Sequence, residues 1–424
     1  MRSVFSKYTA PERLTHLHWL HPVGWLIWVT VLVYVVFFLL GGVNTVNGRY
    51  LSFTGYLVYF AMVAALLAPF FLFRIKPVKP GCGADKVLPL KSIIGIGVAG
   101  IYVAILVVRL YYLPDWQYET TRLYTPPALY FLSFGSWLTG GLLLWQFLLR
   151  NRWGWAGLIT AAELALIIHT GYREWAVWFV LLAALIVATT YRPVGNRHFV
   201  ALILLFLLIF SPLHSGYRSA ASYMNELTPA ERQQTSILAE TPRYLLNYPE
   251  FTGESINRIR AESAMTAEII HQVPEEVAFR STRKLLGEAG SVAIPRIFRE
   301  NKPSFRPGED IYATFVQQED ELRRTHPAGW PGELYRHWGW GGIPAAFLLG
   351  CLLAGIWNLY TRLFNYAPGW LVTHYALIFG FTQTHLIFYA SAWLRILPLY
   401  VLAGLLIWAW IHNQTLSFDF IRNK

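Results

Sequence analysis

Blocks of about twenty apolar residues, separated by short polar segments, restrict this chain more than any other feature of its sequence. A helix that rises about 1.5 Å per residue needs about 20 residues to cross the roughly 30 Å hydrocarbon layer of a bilayer. Of the 424 residues, 55% are hydrophobic and 14% are charged, a smaller charged fraction than soluble proteins carry. The pattern therefore predicts an all-α, polytopic integral membrane protein.

We expect about ten transmembrane helices and one large helical extracytoplasmic loop. The predicted spans are 18–40, 52–74, 91–113, 127–149, 154–170, 174–190, 199–213, 339–361, 370–390 and 393–412. These spans divide the chain into an N-terminal membrane bundle (1–213), a loop domain (214–338) and a C-terminal membrane bundle (339–424). The apolar run near Trp19 is longer than the core of a signal peptide, so it is predicted to remain as the first span.

Positive charges in the connecting segments predict the orientation. With the N-terminus in the cytoplasm, fifteen Lys and Arg residues fall in cytoplasmic segments and five in or near the short outer segments. Such an excess is typical of the cytoplasmic side of a membrane. The net charge of +11 is therefore read as a topology signal, not as a nucleic-acid-binding signal. Both termini are expected in the cytoplasm and the large loop outside.

The large loop has the composition of a soluble domain. It holds 17 of the 24 acidic residues and 15 of the 35 basic ones. Thr228 and Glu231 form a predicted capping box at a helix start. Apolar residues at helical spacing predict helices near 254–272 and 274–287, whereas 291–310 is rich in Pro and Gly and is expected to be irregular.

Cations are concentrated where the predicted outer segments meet the membrane. The candidate substrate-binding residues are Arg173, Arg218, Arg258, Arg296, Arg299 and Lys302. Arginine forks bind phosphate oxygens through paired hydrogen bonds, so this set suits a lipid-linked pyrophosphate at the outer leaflet. The alternative is that the loop arginines pair with the acids of the loop itself, and that Arg173 pairs with Glu174.

Two stretches of the loop resemble a known family. The first is Ile294-Pro295-Arg296 with Lys302-Pro303, and the second is Gly332-Glu333-Leu334-Tyr335 running into Gly341-Gly342-Ile343. Together with the Tyr172-Arg173 hairpin tip, they resemble the Wzy-type O-antigen and exopolysaccharide repeat-unit polymerases. The hairpin reads Gly-Tyr-Arg-Glu, without the small residues that usually flank the arginine in that family.

The resemblance implies a fold similar to the GT-C class of lipid-dependent glycosyltransferases, in the bacterial inner membrane. Such enzymes move a growing glycan from undecaprenyl pyrophosphate to the terminal sugar of another lipid-linked repeat unit, usually with a chain-length regulator protein as partner. The product would be O-antigen, capsule or exopolysaccharide. No nucleotide sugar and no metal is implied, and the sequence has neither a GxxxxGK[ST] motif nor zinc-ligand spacing, so no cofactor is predicted.

Transfer to a sugar hydroxyl can require a general base, and the candidate catalytic residues are Glu333, His326 and His337. His214 is a weaker candidate. The alternative is that the two histidines are ordinary interfacial residues and that Glu333 caps a helix start. Within predicted spans, Glu163 is an ionisable residue that is expensive to bury, with Arg109 or another helix as its alternative partner. Gln383 and His385 are polar residues within the predicted span 370–390. They could line a cavity for the isoprenoid phosphate, or form hydrogen bonds between helices.

Other functions remain open on the sequence. A ligase of the same architecture would transfer the glycan to another lipid or to protein. A flippase or exporter of lipid-linked glycan would more commonly show repeated spans and short loops, which this chain lacks. A non-catalytic assembly protein is a further alternative.

Overall fold

The computed structural model describes residues 17–40, 45–75, 93–112, 139–148, 150–170, 194–228, 230–231, 235–245, 248–293, 307–316 and 328–363, with six helical residues between 179 and 187. The described residues are helical and contain no β-strand, which confirms the predicted all-α class for that part of the chain.

Fourteen α-helices are described in these residues. They are α1 Pro22–Val31, α2 Phe37–Leu40, α3 Phe53–Leu72, α4 Ile93–Tyr112, α5 Thr139–Leu148, α6 Trp153–Thr170, α7 Asn196–Leu205, α8 Ser211–Glu226, α9 Ile237–Leu245, α10 Tyr248–Gln272, α11 Thr282–Ala293, α12 Pro307–Phe315, α13 Gly329–Trp338 and α14 Gly342–Leu363. A π-helical turn joins α1 to α2 and another joins α7 to α8, while the 3-10 turn Gly339–Gly341 joins α13 to α14.

Within the described residues, four helical stretches are long and apolar enough to cross a membrane. They are Val23–Leu40, Phe53–Leu72, Asn196–Met224 and Gly329–Asn358. Each overlaps a span predicted from the sequence, which is the pattern of a membrane protein. Helices α4 and α6 also coincide with the predicted spans 91–113 and 154–170. The predicted spans 370–390 and 393–412 lie outside the described residues.

The boundaries differ from the predicted ones in several places. Helix α10 begins at Tyr248 and not near 254, and helices α11 and α12 extend into the segment 291–310 that was predicted to be irregular, at 291–293 and 307–310. The seventh span was predicted to end at Leu213, but the helix continues through a buried His214 to Glu226. The run predicted to be helical from 274 is not helical until Thr282. Proline has no amide hydrogen to donate and a fixed φ, so Pro274 ends α10 at Gln272 and leaves a turn.

The chain divides into two compact units, each built from separate stretches of sequence, and one of the boundaries falls after Ile256 within α10. In the unit that includes Lys79–Ile256, α8 packs on α9 through Gly216, where a Cβ atom would lie 2.8 Å from a methyl group of Leu245. The predicted capping box is present in this unit: the Thr228 amide donates to the Glu231 carboxylate at 2.8 Å, and the Glu231 amide approaches the Thr228 hydroxyl at 3.4 Å.

The unit that includes Thr15–Val78 and Asn257–Asn365 contains a small helical bundle. Helices α1 and α2 run antiparallel to α3, with the rings of Phe38 and Tyr59 stacked at 4.4 Å. At the opposite end of α1, the His21 ring meets the edge of Trp357 on α14 at 5.0 Å. His21 also caps α1, because its side chain accepts a hydrogen bond from the Val23 amide.

Helices α3 and α14 cross in close contact and in the same direction. A Cβ atom on Gly342 would lie 3.2 Å from the sulfur of Met62, and one on Gly350 would overlap the carbonyl oxygen of Leu66. Residue numbers rise together along both helices, so the two helices are parallel. The absence of a side chain at Gly350 therefore permits backbone-to-backbone packing in the middle of the bundle.

A buried carboxylate ties the 45–50 loop, which precedes α3, to the end of α10. Glu268 accepts hydrogen bonds from the Asn47 amide at 2.9 Å and from the Gln272 side chain at 2.7 Å. The side chains of Asn47 and Gln272 both donate to the carbonyl of Phe315 on α12, at 3.1 and 3.0 Å. Burial by itself raises the pKa of Glu268, but hydrogen bonds from Thr45, Asn47 and Gln272 outweigh it and hold the pKa below its ordinary value.

The α3–α14 crossing predicts a position-specific effect of adding one methyl group. Gly350→Ala should destabilise the protein by about 1–3 kcal/mol, because the Leu66 carbonyl leaves no room for a Cβ atom. Gly355→Ala, on the same helix but with nothing within 4 Å of its Cβ position, should be neutral or stabilising. Thermal unfolding in detergent, followed by size-exclusion chromatography, measures both. Equal melting temperatures for the two variants would contradict the crossing.

The Glu268 network predicts an acid-dependent loss of stability. Because its pKa is lower in the folded state than in the unfolded state, Glu268 stabilises the fold fully above its ordinary pKa, and this contribution is lost as pH falls through the folded-state pKa. Glu268→Gln should lower the melting temperature near neutral pH and flatten its acid dependence. Glu276→Gln, which breaks the exposed 2.9 Å pair with Arg49, should do neither. An unchanged acid dependence in Glu268→Gln would refute this role.

Candidate functional site

Helix α13 is buried from Gly329 to His337, although it carries three ionisable side chains. Glu333, Arg336 and His337 lie within little more than one helical turn of each other. Charged groups removed from water are costly unless partners compensate them. The partners of these three residues therefore define a polar site inside the unit that includes Asn257–Asn365, just before α14 begins.

The start of α13 is held by backbone contacts with α10. The Thr266 hydroxyl donates to the Ala328 carbonyl at 2.5 Å, and a Cβ atom on Gly332 would lie 3.2 Å from the Cα atom of Thr266. Gly329 has a φ of +62°, and a Cβ atom there would overlap the hydroxyl oxygen of Tyr34. Glycine is therefore required at this position both by its backbone conformation and by its neighbour.

The end of α13 is held by the segment that leads into α11. The Arg280 amide donates to the Arg336 carbonyl at 2.9 Å, and Nδ1 of His337 donates to the Arg280 carbonyl at 3.0 Å. The Trp338 indole donates to the Thr282 hydroxyl at 2.9 Å. These bonds satisfy a carbonyl at a helix end that has no partner within the helix. Gly339, with a φ of +53°, then redirects the chain into α14.

Two buried guanidinium groups lie side by side, and we call Arg280 and Arg336 the arginine pair. Asp310 bridges them through one carboxylate oxygen, Oδ2, which lies 3.1 Å from Nη1 of Arg336 and 3.5 Å from Nη1 of Arg280. Glu288 on α11 forms a second, shorter pair with Arg280 at 2.6 Å. The guanidinium of Arg336 also lies over the ring of Phe315, 5.3 Å from its centre.

The members of this cluster differ in their access to solvent. The side chains of Arg280 and Arg336 are 8% and 7% exposed, whereas that of Asp310 is 39% exposed. Burial raises the pKa of Glu288, against the opposing effects of the Arg280 and Lys284 charges. Among the described residues of the cluster, Asp310 is the counter-ion with the greater exposure to solvent. An anionic ligand could approach the arginine pair from that side and take the place of one carboxylate oxygen.

A second group of buried polar residues lies at the start of α13. Glu262, Ser263 and Thr266 are buried on α10, and Glu333 is buried on α13. The phenol of Tyr34 lies within electrostatic reach of both Glu262 and Glu333. Carboxylates and hydroxyls in this arrangement can orient a bound hydroxyl group and accept its proton.

The hydrogen bond of His337 specifies which of its nitrogen atoms is basic. Because the Arg280 carbonyl is an acceptor, Nδ1 of His337 carries the hydrogen, as assigned from this contact. In the neutral ring, Nε2 then holds the lone pair. His337 can therefore act as a base only through Nε2.

The predicted site residues are placed as follows. Glu333 and His337 are brought together on α13, and both are buried. Arg218 is half-buried on α8 in the other unit, and Arg258 lies on α10. Arg173, Arg296, Arg299, Lys302 and His326 lie outside the described residues, as do Gln383 and His385. Glu163 is fully buried in α6.

Sequence reasoning did not select the arginine pair, Asp310 or Glu262. Arg280 follows a turn and has no neighbouring motif, so only the folded chain brings it to Arg336. Arg336 gave a weak signal, since it stands between Glu333 and His337 in a stretch predicted to enter the membrane. An arginine at that depth needs a partner.

Comparison with known proteins gives one match. A family model described as a domain of unknown function, DUF8712, matches residues 129–322, which is less than half of the chain. This range includes Arg280, Glu288 and Asp310 and ends before α13. No curated protein matches the chain, and no solved structure matches it.

The bridging role of Asp310 predicts an anion-dependent stability. Asp310→Asn should destabilise the protein by about 1–3 kcal/mol, less than the loss of a fully buried partner, because Asp310 is partly exposed. Added inorganic pyrophosphate should restore part of the lost melting temperature by replacing the carboxylate between the two guanidinium groups. Glu276→Gln is the control, and pyrophosphate should not change its stability. Equal responses of the two variants to pyrophosphate would rule out an anion site at the arginine pair.

Proposed function

We propose that this chain is a membrane glycosyltransferase that polymerises oligosaccharide repeat units carried on undecaprenyl pyrophosphate. The reaction would take place at the outer face of the bacterial inner membrane, and the product would be O-antigen, capsule or exopolysaccharide. The arginine pair supports this proposal most directly. It lies buried next to Gly339, where the chain turns into a helix able to cross the membrane, and a lipid-linked pyrophosphate presents its phosphates at that depth.

The proposed chemistry is a substitution at the anomeric carbon of the donor glycan. A hydroxyl oxygen of the acceptor sugar forms a bond to that carbon, and the bond from the carbon to the pyrophosphate oxygen breaks. Undecaprenyl pyrophosphate leaves with the bonding electrons, and negative charge develops on its leaving oxygen. Fixed guanidinium groups at this oxygen stabilise the transition state more than the ground state.

The acceptor hydroxyl loses its proton in the same step. Glu333 is the first described candidate, because it is buried and lies within electrostatic reach of the Tyr34 phenol, and His337 is the alternative through Nε2. His326 remains a third candidate from the sequence. Arg173, Arg218, Arg258, Arg296, Arg299 and Lys302 remain proposed contacts for the lipid-linked substrate.

The proposed topology has ten spans, cytoplasmic termini and an outer loop domain. The parallel packing of α3 and α14 supports it by parity, because both helices then begin on the same side of the membrane. The chain between them must cross the membrane an odd number of times, and the sequence predicts five spans between 91 and 213. The 45–50 loop and the end of α10 also share one side, since Asn47 bonds to Glu268.

A ligase that transfers the glycan to another acceptor would use the same arginine pair, so it is the second candidate function. A flippase or exporter of lipid-linked glycan is the third. It is less favoured because buried cations that bind pyrophosphate tightly on one side would oppose release on the other. A chain-length regulator is the proposed protein partner.

Deletion of the gene in its native host, followed by sizing of the extracted lipid-linked glycans, tests the function. We expect single repeat units to accumulate on the lipid. Arg280→Ala and Arg336→Ala should fail to restore polymer, and the lysine variants should also be impaired if the contacts need a guanidinium fork. Arg243→Ala, which removes an exposed arginine paired with Glu240, should restore it.

The other outcomes separate the alternatives. Full-length polymer that stays on its lipid carrier would indicate a ligase. Repeat units retained on the cytoplasmic side would indicate a flippase. Normal polymer in both alanine variants, with the proteins present in the membrane, would remove the arginine pair from the site.

A further inference from the structure

Helix α11 has one side that nothing in the described part of the chain covers. Leu286 is 67% exposed, and the exposed residues Arg283 and Gly290 lie three and four residues from it on the same side of the helix. The other side faces the protein, because Leu285 is buried and Glu288 pairs with Arg280. An exposed leucine alone is common on protein surfaces. Its position relative to α14 distinguishes this one.

The exposed side of α11 is connected to the point where α14 begins. Thr282 lies one turn before Leu286, and its hydroxyl accepts a hydrogen bond from the Trp338 indole. Phe279 is 47% exposed and packs against Gly339, since a Cβ atom there would lie 2.8 Å from the Phe279 ring. The apolar surface of α11 therefore continues onto the turn between α13 and α14.

Helix α14, which begins at this turn, also carries an exposed stripe that suits lipid. Pro344, Leu348 and Leu352 are exposed at four-residue spacing, and Trp340, which is 51% exposed, lies four residues before Pro344. The opposite side of α14, with Gly342, carries the contact with α3. In a helix able to cross a membrane, the exposed stripe faces hydrocarbon, and tryptophan at its end is typical of the membrane–water interface.

We propose that α11 lies along the membrane surface, in the leaflet on the side where α14 begins, with Leu286 and Phe279 in the acyl–headgroup boundary. Arg283 stands in the first turn of α11, where a positive charge opposes the helix dipole, and a lipid phosphate beside it would offset that repulsion. The apolar side chains would then contact the acyl chains, and the cation would contact the headgroups, as in helices that lie in the membrane interface.

This arrangement gives α11 a role beyond anchoring. Glu288 on its inner side pairs with Arg280, so a helix seated on the lipid headgroups would hold the arginine pair near the level of the phosphates. The membrane contact itself is inferred from exposure and continuity alone. It does not depend on the proposed glycosyl transfer.

A fluorescent label on the two sides of α11 tests this inference. Leu286→Cys and Lys284→Cys are made in a full-length background with Cys82 and Cys351 replaced, labelled with the environment-sensitive dye NBD, and placed in lipid nanodiscs. Lys284 is the matched control, because it is exposed but lies on the far side of the same helix. Nitroxide groups near the lipid headgroup should quench the label at 286 severalfold more strongly than at 284, and aqueous iodide should show the opposite order.

Two quenching results would contradict the proposal. If iodide quenches both positions equally and lipid nitroxides quench neither, α11 does not touch the bilayer and the proposal is wrong. If position 286 is shielded from iodide but also from lipid nitroxides, protein covers it instead, which equally overturns the proposal.

Adding Arg283→Glu to the labelled Leu286→Cys variant should reduce its lipid quenching, because like charges would separate the helix from the phosphates. Unchanged quenching would remove the role given to Arg283.

Discussion

The contact between α3 and α14 is the constraint on which the second unit depends. Gly350 lies against the backbone of Leu66, and Gly342 lies beside Met62, so two helices approach more closely than side chains would permit. Where lipid surrounds a bundle, dispersion and backbone contacts hold helices together, because burial from water adds little there. The direction of this contact also restricts the topology, since two parallel helices must be joined by an odd number of crossings.

Helix α13 differs from the α3–α14 contact, because it carries ionisable side chains that are buried. The Arg280 amide donates a hydrogen bond to the Arg336 carbonyl at the helix end, and the Arg280 side chain adds a second cation. Asp310 and Glu288 balance the charge of the two guanidinium groups. The cluster contains two guanidinium groups and two carboxylates, so its formal charge is balanced without a ligand. The exposed position of Asp310 makes one of those carboxylates replaceable, and this is the physical basis for proposing an anion site.

Local features of both units could be predicted from the sequence, whereas the buried cluster could not. Apolar blocks predicted four stretches that fold as helices able to cross a membrane, and a Thr–Glu spacing predicted the cap at Thr228. The predicted end of the seventh span at Leu213 is not a helix end, because the helix continues to Glu226 with His214 buried. The predicted loop cations were selected by local charge, whereas the arginine pair is buried and would not stand out by that criterion.

The sequence by itself determined the helical class, the apolar segments and the capping and helix-breaking residues, because hydrophobic blocks and hydrogen-bonding side chains act within one or two turns. It also singled out Glu333 and His337, which lie together on one short helix. Only the tertiary structure decided that Arg280 meets Arg336 and that Glu268 holds the 45–50 loop. The partners in the first contact are separated by 56 residues and those in the second by 221, so no local spacing encodes them. Such contacts form only when packed helices bring distant segments to one place.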